Sequence, residues 1–212
     1  MSGPSETTLE QFALADWRRK TAALYATIRA TRDAEAAWRT WRQSRDALFR
    51  NHPQSPLDPS ERQRMIALDY FPHDPSARHI VSVNAIEDGA PVCFDLGKDG
   101  RITLVPFART LGLAASYGGE LTLYWVDGYG GGLFLPFKDA TCGAETYDGG
   151  RYLLDGIKGA DLGMDGDKLI LDFNFAYNPS CAYADRWVCP LAPNENRLPR
   201  PVRAGEKRMR IN

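Results

Sequence analysis

Histidine is scarce in this chain of 212 residues: His52, His73 and His79 are all there are, and they stand apart from the four cysteines Cys93, Cys142, Cys181 and Cys189. Structural zinc sites draw their ligands from close pairs, usually about two to four residues apart. Cys181 and Cys189 have seven residues between them, so no metal site is expected. No apolar run approaches the roughly 18–20 residues of a membrane span. The stretch Met1 to Glu10 lacks the basic-then-apolar order of a secretory leader. The expectation is a cytoplasmic protein with free thiols, a local redox pair or disulfide at Cys181 and Cys189 being the alternative. Neither sign of charge dominates. With 26 basic and 27 acidic residues the net charge is −1, which argues against nucleic acid as a partner. A βαβ rhythm is also missing, which excludes Rossmann and P-loop architectures. The run Asp127-Gly128-Tyr129-Gly130-Gly131-Gly132 has no helix after it and no Gly-Lys-Ser/Thr ending, so it reads as a hairpin turn and not a phosphate cradle.

What is present divides into two parts. Residues 6–31 carry Leu9, Phe12, Trp17, Leu24 and Ile28 at helical spacing, with capping boxes available at Thr7 and Thr8. A second helix over 33–49 starts at Asp33 and aligns Trp38, Trp41, Arg45 and Leu48. The pair forms a hairpin or one bent rod. Residues 17–50 hold nine Arg or Lys against three acids. That pattern suits a solvated helix face, or else a surface for an acidic partner. Proline-rich Asn51–Pro59 closes the arm, and a short helix follows at about 60–66. From residue 79 the period changes to two. Strands are expected near 80–85, 92–96, 101–107, 121–126, 133–137, 151–157 and 169–175, with a turn at Gly97–Gly100 and a basic tail over 198–212 that includes Arg210. Their number and spacing predict an α+β chain, mainly β: an antiparallel barrel or barrel-like sandwich with a helical N-terminal arm. The division is residues 1–50 for the arm and 51–212 for the β part.

Two polar stretches interrupt the strands, Phe137–Tyr152 and Asn174–Arg197. In a barrel both would reach one rim. Asp139 and Glu145 are candidate acid–base carboxylates, or else turn caps and partners of arginines. Arg151 and Arg197 suit an anionic group. Asn174, Tyr177, Asn178, Cys181, Tyr183, Glu195 and Asn196 are candidate ligand-binding groups, because aromatic faces with a few fixed polar atoms describe most small-ligand sites. The same residues also describe a loop that satisfies its own backbone.

The run Leu133-Phe134-Leu135-Pro136-Phe137-Lys138-Asp139-Ala140-Thr141-Cys142-Gly143-Ala144-Glu145, continuing to Tyr152, resembles one signature of an uncharacterised prokaryotic family, domain of unknown function 1684. The runs Asp172–Tyr183, Cys189–Pro199 and Arg203–Lys207 resemble its C-terminal motif. The resemblance implies kinship over most of the chain after residue 38 and no activity.

The reading that follows is a small-molecule-binding barrel for a small anionic metabolite, with a hydrolase or isomerase as its enzymatic form. The alternative is an interaction or scaffold protein, in which the polar motif is an internal clamp and the basic arm binds a partner or a second copy of the chain. The sequence leaves open whether the protein is an enzyme and names no cofactor. The discriminating feature is whether Arg151, Arg197, Asn178 and Glu145 face an open cavity or close on protein partners.

Overall fold

The computed structural model describes residues 5–97 and 100–209. Lys98 and Asp99 of the expected turn, Arg210 of the basic tail and the first four residues lie outside them. Two helices open the chain, α1 (Glu6–Ala30) and α2 (Ala34–Asn51). Ser5, and not Thr7 or Thr8, caps α1, its Oγ accepting the Thr8 N–H at 3.3 Å. Asp33 caps α2 as expected, accepting the N–H groups of Glu35 and Ala36 at 3.0 Å each. The helices form an antiparallel hairpin. Trp41 Nε1–H donates to the Tyr25 hydroxyl at 3.2 Å, and His52 meets Asp16 at 3.0 Å. A short α3 (Pro59–Arg64) follows, held by a capping box between Asp58 and Glu61.

The β part consists of β1 (Arg78–Ala85), β2 (Val92–Asp95), β3 (Arg101–Leu111), β4 (Thr122–Val126), β5 (Leu133–Phe137), β6 (Arg151–Asp155), β7 (Met164–Asp165) and β8 (Lys168–Asp172). A one-turn helix, α4 (Ala114–Tyr117), links β3 to β4. The strands make one antiparallel sheet in the order β6-β5-β4-β3-β1-β8-β7, with β2 also paired to β3. The sheet curls into a half-barrel. The chain leaving β8 turns through a 3-10 segment at Phe173–Phe175 and comes back to β6, where Tyr177 bridges Tyr152. The strand expected over 169–175 therefore stops at Asp172. Asp172 caps the turn by accepting the Asn174 N–H at 3.0 Å.

Two apolar clusters build the core. One joins arm to barrel through Leu24, Tyr25, Ile28, Trp41 and Phe49 packed with Tyr124, Phe134, Tyr152, Phe175 and Tyr177. The other lies along Leu121, Leu135, Phe137, Leu153, Leu171 and Phe173, and is closed by Leu198, Val202 and Ala204 of the C-terminal segment. Strand β6 runs between the clusters and is buried at every residue. That is why Arg151, its first residue, is fully buried.

The arm departs from expectation at its start. Leu9 and Phe12 share helical spacing with Leu24 and Ile28, yet they are 54% and 64% exposed. The cause is length: α1 has 25 residues and its antiparallel partner 18. Packing therefore begins near Trp17, and the first turns of α1 project beyond the hairpin. Seven of the arm's nine basic residues are solvated, as one reading of the pattern expected. The other two stack on aromatic rings. The Arg42 guanidinium lies 4.6 Å from the Trp38 ring centroid and 4.8 Å from that of Tyr70. The Arg45 guanidinium lies about 5 Å from the Trp41, Phe49 and Tyr177 rings.

Candidate functional site

The two polar stretches meet, as a common barrel rim requires. Lys138 bridges Arg197 in parallel, its N–H donating to the Asn196 carbonyl at 2.8 Å and its own carbonyl accepting the Leu198 N–H at 2.8 Å. Tyr152 and Tyr177 exchange backbone hydrogen bonds at 2.8 and 3.0 Å. The C-terminal residues 202–207 lie across both stretches, and Asp139, Glu145, Arg151, Asn178 and Tyr183 all bond to them.

Arg151 is 0% exposed. Its Nη2 donates to Asp139 Oδ2 and to the Val202 carbonyl, each at 2.9 Å, and its Nη1 donates to the carbonyls of Ala204 and Glu206. Asp139 also accepts the N–H groups of Thr141 at 2.8 Å and Val202 at 3.1 Å. A guanidinium fork and a carboxylate thus hold the C-terminal segment by its backbone. Both side chains are sealed from solvent, and of the Arg151 guanidinium only Nε has no partner among the described residues. Glu145 lies toward solvent on Arg203, accepting from its Nε at 3.0 and 3.1 Å. Asp139 and Glu145 are therefore engaged with different arginines.

A second knot forms around Glu206, a residue that single-site reading of the sequence did not single out. Its carboxylate accepts from Arg45 Nη2 at 2.7 Å, from the Asn178 N–H at 3.0 Å and from the Tyr183 hydroxyl. Arg45 Nε donates to the Tyr70 hydroxyl at 3.2 Å. Burial, the largest influence, pushes the Glu206 carboxyl above its usual range, while Arg45 pulls the other way. The sequence signals were the aromatic-lined face of α2 that carries Arg45 and the Arg203–Lys207 motif that contains Glu206.

The amides serve as braces. Asn174 accepts the Asp74 N–H at 2.9 Å and donates to the Asp74 carbonyl and to Asp172, each at 2.8 Å. Asn196 accepts the Thr122 N–H and donates to the carbonyls of Thr122 and Pro136, all at 2.8 Å, tying the C-terminal motif to β4 and β5. Asn178 Nδ2 donates to the Lys207 carbonyl at 2.8 Å, and its buried Oδ1 has no partner among the described residues. The Tyr177 hydroxyl donates to Asp155 at 3.2 Å, and Glu195 accepts the Tyr124 hydroxyl at 2.7 Å. Arg197 points into solvent and does not join Arg151. Cys181 and Cys189 adjoin, the Cys181 N–H donating to Cys189 Sγ at 3.4 Å.

Two spaces accompany this network. At the seam of arm and barrel is a cavity of about 40 Å³ lined by Trp17, Tyr25, Trp41, Arg45, Tyr177 and Asn178 among others. It has room for roughly three waters, far below the about 300–1,000 Å³ of a typical metabolite pocket. On the outer face of the helix hairpin is an open groove of about 580 Å³, lined by Lys20, Ala23, Leu24, Ser44, Ala47 and Leu48 among others. Among the described residues, no three His, Cys, Asp or Glu side chains are grouped to hold a metal ion. No helix among them is long and apolar enough to cross a membrane.

Residues 64–207 match the family described as "Protein of unknown function (DUF1684)". The chain is similar to the solution NMR structure of an uncharacterized protein of Haloarcula marismortui. The identity is 35% and the TM-score 0.56, over 82% of this chain and 94% of that one. No curated protein matches.

Proposed function

We propose that this chain, which belongs to the DUF1684 family of proteins of unknown function, is an interaction protein whose polar motif is an internal clamp and whose helical arm binds a partner. One observation carries this reading: Arg151, Asn178 and Glu145 close on Asp139, Lys207 and Arg203, all within the protein. A motif spent on internal pairing leaves the arm as the working surface. The groove between α1 and α2 has an apolar strip, Ala23, Leu24, Ala47 and Leu48, flanked by the polar Thr27, Thr40 and Ser44, a lining that can receive an amphipathic helix. Asp16 lines it paired with Lys20 at 2.7 Å, and Glu35 pairs with Arg39 at 2.9 Å, but residues 17–50 keep nine basic residues against three acids, seven of the nine exposed. Charge complementarity therefore selects an acidic amphipathic helix of a partner protein.

The test uses three synthetic helices with leucines at i, i+3, i+4 and i+7: one with glutamates elsewhere, one with lysines, and one with the glutamate sequence scrambled. Fluorescence anisotropy should show binding of the acidic helix alone, weakened by salt and lost in Ala47→Glu. Equal binding of all three, or of none, overturns the reading. So does occupation of the groove by a second copy, seen as a dimer in sedimentation that Ala47→Glu dissolves.

The second reading is a binding barrel for a small anionic metabolite. Asn178 Oδ1, without a partner among the described residues, lies at the seam cavity with Arg45 and Tyr177 beside it and favours that reading. A thermal-shift screen of anionic metabolites separates the two. A stabilising hit abolished by Asn178→Ala, in a protein that still folds, supports the barrel reading. Silence across the screen supports the clamp.

A further inference from the structure

The clamp gives no work to the two cysteines of the C-terminal motif. Cys181 sits in the 3-10 turn Ser180–Ala182, and its N–H points at Cys189 Sγ, 3.4 Å away. The Tyr147 hydroxyl donates to Cys181 Sγ at 3.7 Å. Both cysteines are half-buried, so a small reagent can reach them. The loop between them is held at several points. The Tyr183 hydroxyl donates to Glu206, the Trp187 indole and Arg186 donate to the Pro56 carbonyl at 3.4 and 2.9 Å, and just past the loop the Pro190 carbonyl accepts from Tyr152 at 2.7 Å. The two cysteines are thereby held side by side by anchors outside the pair. The other thiols lack this arrangement. Cys142 Sγ accepts from the Asp139 N–H and the Thr146 hydroxyl, and Cys93 is exposed beside Thr103.

We propose that Cys181 and Cys189 form a reversible dithiol–disulfide centre that reduces low-molecular-weight disulfides. Cys189 is the attacking sulfur. Its sulfur accepts the Cys181 N–H at 3.4 Å, and Lys158 adds positive charge nearby. The adjoining Cys181 side chain, the largest influence, pulls the Cys189 thiol below its usual range against the opposing effect of burial. The adjoining Cys189 side chain, with burial, pushes Cys181 up. The titratable groups facing the pair are Tyr147, Tyr152 and Lys158, with Asp148 and Asp155 further out.

In the first step the Cys189 thiolate attacks one sulfur of the substrate disulfide. The substrate S–S bond breaks, a Cys189–S–S–R bond forms, and the released thiolate takes up a proton. In the second step Cys181 gives its proton to solvent and attacks Cys189 Sγ, expelling the second thiolate. Two electrons have then passed to the substrate, which leaves as two thiols, and the chain holds a Cys181–Cys189 disulfide. A reducing dithiol restores the centre by the reverse exchange.

The experiment treats the full chain with oxidised glutathione and maps every cysteine by mass spectrometry. The expected product is a Cys181–Cys189 disulfide that has lost two hydrogens and carries no glutathione. In Cys181→Ala the reaction should stop at a glutathione adduct on Cys189. Iodoacetamide labelling of Cys189 should reach half its plateau at a lower pH in the parent than in Cys181→Ala. A parent that accumulates stable glutathione adducts on either cysteine, or that leaves both as thiols while Cys93 reacts, overturns the proposal. Mapping of the parent alone decides the matter if the variant fails to fold.

Discussion

Arg45 and Glu206 are 161 residues apart in the chain and 2.7 Å apart in the fold, their side chains 11% and 1% exposed. The pair joins the helical arm to the C-terminal segment, and through Tyr183 and Asn178 it takes in the loops after β8. Breaking one side of a buried pair leaves the other charge uncompensated, at a cost of about 3–5 kcal/mol. Arg45→Ala should therefore lower the melting temperature by roughly 10 °C in a chain of this size, read by circular dichroism. A fall of only a degree or two would show that the arm is held by apolar packing alone.

Arg151 uses two nitrogens to reach three carbonyls and a carboxylate. A lysine ammonium has no such fork. Arg151→Lys should consequently behave as a loss, destabilising by roughly 2–4 kcal/mol through buried acceptors left unpaired. It should also open a protease site between residues 198 and 206 before the barrel unfolds. Limited proteolysis followed by mass mapping checks this, and parent-like resistance would contradict the clamp.

Gly205 stands at φ +78°, and a Cβ there would come 2.6 Å from the Ala176 carbonyl oxygen and 2.7 Å from that of Phe173. Both are backbone atoms of the turn after β8, which cannot give way cheaply. Gly205→Ala should cost clearly more than the about 1–3 kcal/mol of backbone strain alone. Gly130, at the same φ of +78° with nothing within 4 Å, supplies the strain-only comparison. Urea midpoints of the two variants should differ in that order, and equal midpoints would remove the close packing from the account.

Glu120 offers a pH handle. Burial raises its carboxyl, but the Thr110 hydroxyl and the N–H groups of Gly112, Ala114 and Leu113 outweigh it and hold the group below its ordinary value of 4.5. The folded state thus binds its proton later than the unfolded state as the pH falls. The stabilisation is fully present above 4.5 and is lost as the pH drops through the folded value. Urea midpoints should fall over that acid window in the parent and vary less with pH in Glu120→Gln. Parallel curves would show that the carboxylate does not steady the β3–β4 corner.

Much of this architecture was legible in the residues. Asp33 announced the start of α2, and the period of two found β1 to β6 and β8 to within a few residues, because those strands carry clear alternation or apolar runs. Strand β7, two residues long, offers no period to detect. The exposure of Leu9 and Phe12 was hidden because it depends on where α2 ends, a relation between helices that no single helix encodes. The same holds for the polar motif. Residue type marked Arg151, Asn174, Asn178 and Asn196 as groups needing partners, but whether those partners belong to a ligand or to the chain depends on where residues 202–207 lie. That placement is a tertiary fact, written mainly in the left-handed Gly205 and the buried Glu206.

The reach of the Arg45–Glu206 pair also bears on how the molecule comes into being. The arm is synthesised first, and the carboxylate that fastens it is not made until the whole β part has been. Over that interval Trp41, Phe49 and their neighbours have no barrel to pack against, and the half-barrel lacks the strap that closes its second cluster. Contacts this distant in sequence form late and slowly. The nascent chain therefore passes through a stage with a bare aromatic helix hairpin, and that exposed stage is where chaperones and chance aggregation compete for it.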